Sequence, residues 1–424
     1  MTAPDDAYYA ALETLIQPIP ASRLPDDLTP MRRLLEALGL HQPGRFPVVK
    51  VAGSVGKGST AHALAALLTR AGKHVGLFTS PHLHSVRERF RIDGEMIAPE
   101  AFVNHAGRVA QAATSAGLRP STFESATALA ADWFAASGID IAVCEIGLGG
   151  RFDAVNTLGP TPLAVMTPLE LEHVAMLGGS LRSIAWHKAG VFPGGGTAIS
   201  VAQDAPAAEV FVQEAALAGC ILRWASSAAD QLAQAAAVLG IASAPDWAED
   251  ALASPPPARL EIVHLDADHL LMIDGSHTPR GTARLAEALH TLVSAGEPVR
   301  IVFAALKDKP LDDLLRPLDQ PDWHIVLSQV PSGHRARPTH EMMPTLHHAA
   351  LEVQPSLETA FVSIKKKPFS LNVIAGSLTT AAAARDFFGL LTPEMSEEYT
   401  RTRALFTGGT YTGKLLQNHN SQRE

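Results

Sequence analysis

Phe46-Pro-Val-Val-Lys-Val-Ala-Gly-Ser-Val-Gly-Lys-Gly-Ser-Thr60 is the stretch whose reading decides the fold. It opens as a short apolar run and breaks into a glycine-rich turn. Residues 61–71 beyond it are rich in alanine and leucine. That pattern predicts a buried strand, a tight turn and a helix. Residues 74–79, HVGLFT, predict the next strand. Strand, glycine turn, helix, strand is a βαβ unit, which implies a parallel sheet. The turn also carries chemistry. Glycines let backbone N–H groups face phosphate oxygens, and the start of the helix adds partial positive charge. Lys57 has the reach for a terminal phosphate, and Ser59 or Thr60 offers a hydroxyl to phosphate or Mg²⁺. Gly53, Ser54, Gly56, Lys57, Gly58, Ser59 and Thr60 are therefore the candidate phosphate cradle. The loop is shorter than the usual P-loop, with Ser54 and Val55 alone between its first two glycines. Residues 409–414, GTYTGK, lack a Ser or Thr after the lysine and read as a plain loop.

Outward from the turn the pattern repeats. Residues 139–146, IDIAVCEI, and 162–167, PLAVMT, are further strands. Ligands of open parallel sheets sit beyond the carboxyl ends of strands. The polar residues following these runs, at 80–82, 145–153 and 170–173, are thus the ones to watch. A break in composition falls at 253–257, ASPPP. After it come apparent strands at 259–264, 269–273, 299–304, 324–327 and 372–375, with helices at 279–295 and 379–391. The expected fold is α/β: a P-loop-type parallel sheet in residues 1–257, then a smaller Rossmann-like α/β domain in residues 258–392. A tail of no assigned role would fill 393–424.

Composition sets bounds on partners. Of 424 residues, 46% are hydrophobic and 18% charged, which excludes a disordered chain. Lys plus Arg number 34 against 43 Asp plus Glu, a net charge of -9, so no nucleic-acid partner is expected. Two cysteines, Cys144 and Cys220, make neither a disulfide framework nor a zinc cluster. A reducing, cytoplasmic setting is expected. Residues 1–10 carry Asp5 and Asp6 and no apolar run, so no signal peptide is expected there; no run of about 18 apolar residues occurs, so no membrane partner is expected.

Several segments, in order, resemble the folylpolyglutamate synthase and dihydrofolate synthase family of the Mur ligase superfamily. Residues 51–60, VAGSVGKGST, are similar to its AGTNGKGST loop, and 79–83, TSPHL, to SSPHL, followed by Arg87-Glu88-Arg89. Residues 121–124, STFE, resemble TFFE. Residues 145–156, EIGLGGRFDAVN, resemble EVGLGGRLDATN. Glu172-His173, then 187–192, HKAGVF, follow the family order, as do 257–261, PARLE, and 274–279, DGSHTP.

The resemblance implies ATP-driven amide ligation through an acyl phosphate, with L-glutamate as the incoming amine. The carboxylate would belong to dihydropteroate or be the γ-carboxylate of a folate. Implied cofactors are ATP and two Mg²⁺ ions, on a monomer. Implied catalytic residues are Lys57, Glu145, His173 and Lys188. The metal ligands would be Ser80, Glu145, His173 and Lys188, the last carbamylated. Thr122, Phe123, Glu124, Phe152, Asp153 and Ala154 would line the pterin-type site. Arg259, Asp274 and His277 would meet ATP from the second domain. Read without the family, Lys188 is a surface lysine paired with a nearby carboxylate, Phe123 is as well explained as core, and His277 is a surface or capping residue.

The sequence also departs from the pattern. Val55 and Thr278 stand where relatives have asparagine, and the helix near Ala228 lacks another. These losses cluster around the nucleotide, while Lys57, Ser80, Glu145, His173 and Lys188 remain. Two other readings stay open at this point: a Mur-type ligase for a different carboxylate, and a nucleotide-binding paralogue without catalysis.

Overall fold

The computed structural model describes residues 5–15, 27–40, 46–241, 245–267, 269–330, 335–366 and 369–407. The 409–414 loop lies outside them. The chain divides into two compact units, Met1–His82 with Val86–Glu261, and Leu83–Ser85 with Ile262–Glu424.

The first unit holds β1 (Val48–Ala52), β2 (Val75–Phe78), β3 (Phe90–Ile92), β4 (Glu95–Met96), β5 (Ile141–Glu145), β6 (Leu163–Met166), β7 (Thr197–Val201) and β8 (Ile221–Ala225). They form one sheet in the order β4-β3-β2-β5-β1-β6-β7-β8. From β2 to β8 all pairs are parallel, and β3 and β4 add an antiparallel edge. Every residue of β1, β2, β5 and β6 is buried, which is why these strands read as continuous apolar runs. Alternate side chains go to opposite faces. Val49 and Val51 pack with Leu64, Leu67 and Leu68 of helix Lys57–Arg70, whereas Val48 and Ala52 join a second core with Phe78, Leu129 and Phe134. β1 lies between β5 and β6, so the loops after β1, β2, β5 and β6 gather at one edge of the sheet.

The second unit holds β9 (Glu261–His264) from its second residue on, β10 (Leu270–Ile273), β11 (Val299–Phe303), β12 (Trp323–Leu327), β13 (Ala350–Val353) and β14 (Leu371–Ala375). Their order is β13-β12-β11-β14-β10-β9, and the pairs from β13 to β10 are parallel. Two expectations shift. Arg259, expected on the second domain, falls in the first unit, because that unit runs on to Glu261. Residues of the expected tail form a helix, Pro393–Thr407, with Glu398, Tyr399 and Thr402 buried. No helix among the described residues is long and apolar enough to cross a membrane.

Candidate active site

The phosphate loop joins β1 to helix Lys57–Arg70. Gly53 has φ of 144°, and a Cβ there would fall on the Thr167 hydroxyl, so only glycine fits. Ser54 and Val55 donate their N–H groups to the Pro168 carbonyl, at 2.9 and 3.2 Å. Gly56, with φ of 85°, ends the turn in the left-handed region, and no side chain caps the helix that follows. Its first-turn amides are thereby left available to an anion. Lys57 folds back over the loop, its Nζ donating to the Ser54 carbonyl at 3.3 Å. Ser59 is half-buried. Thr60 is buried, and its N–H returns to Gly56.

Glu145 ends β5 and is buried. Its Oε2 accepts the Ser80 N–H at 3.0 Å, and a Cβ on Gly58 would stand 3.4 Å from that oxygen. The carboxylate therefore faces the start of the phosphate-loop helix. Burial pushes its pKa upward, although Lys57, the Ser80 N–H, Arg259 and Arg89 pull against it. Arg89 is half-buried, and desolvation brings it down to about 10; its Nε donates to His82 Nδ1 at 3.0 Å. Arg89 and Glu172 are members of this site that sequence reasoning misses. Arg89 stands in a matched motif that assigns it no role, and Glu172 reads from the sequence only as a preserved carboxylate.

Lys188 lies in helix Leu181–Ala189 and is 2% exposed, so the surface setting expected without the family does not hold. The ion pair does: Nζ donates to Glu172 Oε1 at 2.9 Å and to the Gly53 carbonyl at 2.6 Å. Burial first, then the Lys57 ammonium, bring Lys188 down to about 8, and Glu172 only partly restores it. Burial alone would raise Glu172, but Lys188 and Lys57 outweigh it and hold the carboxyl at about 2. His173 takes a left-handed backbone, φ 48°, and sets Nε2 3.8 Å from Glu172 Oε2.

The site thus brings Lys57, Glu145, Glu172, Lys188, Arg89 and Arg259 into one electrostatic neighbourhood. Among the described residues no three His, Cys, Asp or Glu side chains stand close enough to share an ion. The donor chemistry nevertheless fits a hard cation. A buried carboxylate raised by desolvation faces an open anion cradle, and the buried Thr167 hydroxyl beside Gly53 has no hydrogen-bond partner among the described residues. Mg²⁺ keeps several waters and takes phosphate oxygens, so few protein ligands suffice.

The residues expected at the pterin-type site are in use by the fold. Ser121 and Glu124 form a reciprocal capping box on helix Thr122–Ser137, the Glu124 carboxylate accepting the Ser121 N–H at 2.8 Å. Phe123 packs on Phe78, ring centres 5.8 Å apart, and against Gly147. Asp153 is buried and accepts N–H groups of Leu148 and Val155, and Ala154 is buried beside it. Phe152, half-buried, lies 6.3 Å from both Trp186 and His187.

In the second unit, Asp274 follows β10. It is buried and accepts hydrogen bonds from the N–H and hydroxyl of Ser276. His277 bonds the Gly275 carbonyl through Nδ1 at 2.8 Å. Thr278 caps helix Pro279–Leu292, accepting the Gly281 N–H. Threonine thus keeps the capping ability of the asparagine it replaces.

No family model matches the chain. A folylpolyglutamate synthase of Lacticaseibacillus casei is 31% identical over 404 residues, 83% of this chain and 92% of that protein. A dihydrofolate synthase/folylpolyglutamate synthase of Mycobacterium tuberculosis is 30% identical over 450 residues, 87% of this chain and 91% of that protein. A solved structure of the bifunctional folylpolyglutamate synthase/dihydrofolate synthase of Yersinia pestis, complexed with AMPPNP and a Mn ion, superposes with a TM-score of 0.77. It is 25% identical and covers 92% of this chain and 100% of that one. Similarity of this extent, over nearly all of each protein and in one fold, places the chain in the folylpolyglutamate synthase/dihydrofolate synthase family.

Proposed function

We propose that the chain, acting as a monomer in the cytoplasm without a nucleic-acid partner, joins L-glutamate to dihydropteroate or to the γ-carboxylate of a folate, driven by ATP. The observation that carries the reading is the meeting of an uncapped helix, Lys57 and buried Glu145 at the carboxyl ends of β1 and β5. A substrate carboxylate oxygen bonds to the γ-phosphorus as the bond to ADP breaks, giving an acyl phosphate. The amine of glutamate then bonds to the acyl carbon, phosphate leaves, and the nitrogen loses a proton.

Phosphoryl transfer needs positioning and charge neutralisation above all. The helix amides of residues 57–59 and the Lys57 ammonium supply both, with Arg259 as a further cation. Ser80, Glu145 and His173 would hold Mg²⁺, which would supply charge compensation at the phosphates. Lys188, brought to about 8, holds its proton less firmly than an ordinary lysine. Its free amine adds to CO₂, forming an N–C bond and releasing a proton. The carbamate would then stand beside the Glu172 carboxylate, and these two residues would hold a second Mg²⁺, which would offset their charge. Segments 122–124 and 152–154 wall the pterin-type site, with Phe152 as its flat face. Glu124 and Asp153 hold the wall in shape through backbone amides.

The test is ADP release from saturating ATP. Release that requires both glutamate and either dihydropteroate or tetrahydrofolate is the expected result. ATP turnover unmoved by either pteridine would overturn the substrate reading, and another carboxylate that stimulates it would point to a different Mur-type ligase.

A further inference from the structure

Lys50 is a buried charge that the reaction above does not use. It sits in β1 on the face of Val48 and Ala52, 4% exposed, directly before the phosphate loop. Its Nζ donates to Asn156 Oδ1 at 2.9 Å and to the Asn156 carbonyl at 3.3 Å. Asn156 uses its other end as well, donating through Nδ2 to the carbonyls of Arg151, at 3.1 Å, and Gly190, at 3.0 Å. Arg151 in turn donates its N–H to the His187 carbonyl at 2.7 Å and its guanidinium to the Trp186 carbonyl. Asp153, which feels the Lys50 charge, closes the same loop through Leu148 and Val155.

The connections run in one direction. Strand β1 holds Lys50, Lys50 holds Asn156, and Asn156 ties the 147–156 loop to the end of the helix that carries Lys188. The loop begins beside Glu145. A buried ammonium needs its partners, and an asparagine with donors and acceptor all engaged has one orientation. We propose that Lys50 is a positioning residue of the ligase centre, acting through Asn156 to fix the 147–156 loop and the Lys188 helix against β1. The role rests on the ligase reading, but its geometry does not.

The test uses the full chain carrying Lys50→Met, which keeps length and removes the donors. Amide hydrogen exchange of segments 147–156 and 187–191 should quicken at least about tenfold relative to the rest of the unit. The kcat for ADP release per folded molecule should fall about 10- to 100-fold, while KM for ATP changes less than about threefold. Should Lys50→Met fail to fold, Asn156→Asp keeps an acceptor for Lys50 and loses the donors to Arg151 and Gly190. The same two changes are expected from it. Unchanged exchange in either segment overturns the inference, whether or not the wild type is a ligase. A variant with lowered unfolding midpoint and unchanged kcat also overturns it, since that is what mere structural support would give. A wild type without ligase activity would sink the functional reading instead, and the exchange result would still decide whether Lys50 holds the loop.

Discussion

Two helices of the first unit begin in opposite ways. Helix Thr122–Ser137 starts with a complete capping box: Ser121 accepts from the Glu124 N–H, and Glu124 accepts from the Ser121 N–H. Helix Lys57–Arg70 starts with Gly56 in the left-handed region and no capping side chain at all. Helix ends carry amides that need an acceptor. In the first case the chain provides one. In the second it provides a cation, Lys57, and a glycine turn, and leaves the acceptor to come from outside. The contrast explains how two motifs that both match the family pattern at the sheet edge end in different chemistry, one closed on itself and one open to phosphate.

The sharpest way to break this contrast is Lys57→Ala. The open end would keep its amides and lose its one flexible cation, which also acts on Glu145, Glu172 and Lys188. The expected loss in kcat for ADP release is about 100- to 1000-fold, the size seen when a preorganised charge-stabilising donor is removed. The unfolding midpoint should hardly move, since Lys57 is half-buried and, among the described residues, bonds only one carbonyl. A variant that retains wild-type turnover would show that the loop is not the phosphate site.

A second test concerns Asp153, which like Glu124 engages amides of its own chain. Burial raises its carboxyl to about 6, against the N–H groups of Leu148, Val155 and Gly147 and the Lys50 charge. The folded state thus binds this proton more tightly than the unfolded chain does. The contribution of Asp153 to stability is full below its ordinary value of 3.8 and is lost as pH rises through about 6. The loss amounts to at most about 3 kcal/mol, at 1.36 kcal/mol per pKa unit. Urea unfolding of wild type and Asp153→Asn at pH 4 to 7 should diverge in that window, the wild type falling relative to the variant. Parallel curves would show that Asp153 is not buried in the way described.

Much of the site's framework is legible in the sequence alone. The strands β1, β2, β5 and β6 are apolar runs because both their faces are covered, and the polar residues after them are at the site because a parallel sheet collects its strand ends. β7 and β8 are harder to read. β8 lies at the edge with Ile221 and Trp224 exposed, so it carries no inside-outside alternation. The electrostatic partners are hidden for a different reason. Lys50 with Asn156, Lys188 with Gly53, and Ser80 with Glu145 are separated by 106, 135 and 65 residues, and only the sheet brings them together. Glu124 is an instructive case. Ser121-Thr-Phe-Glu124 is a capping-box sequence in its own right, whereas family likeness points to substrate binding instead.

The smallest effect belongs to that capped end. Ser121→Ala removes the acceptor for the Glu124 N–H, a bond of 3.3 Å, and leaves Glu124 still accepting the residue 121 N–H. Half of the box survives, so the loss in stability should be near the middle of the capping range, about 1 kcal/mol. Turnover at saturating substrates should stay within about twofold if the cap serves only the helix. Phe123 packs between this first turn and Gly147, however, so a loosened cap transmits directly to the 147–156 loop. KM for the pteridine is therefore the quantity to follow. A rise with kcat and KM for ATP unchanged would mean that the closed end shapes the substrate wall, while the open end alone handles phosphate.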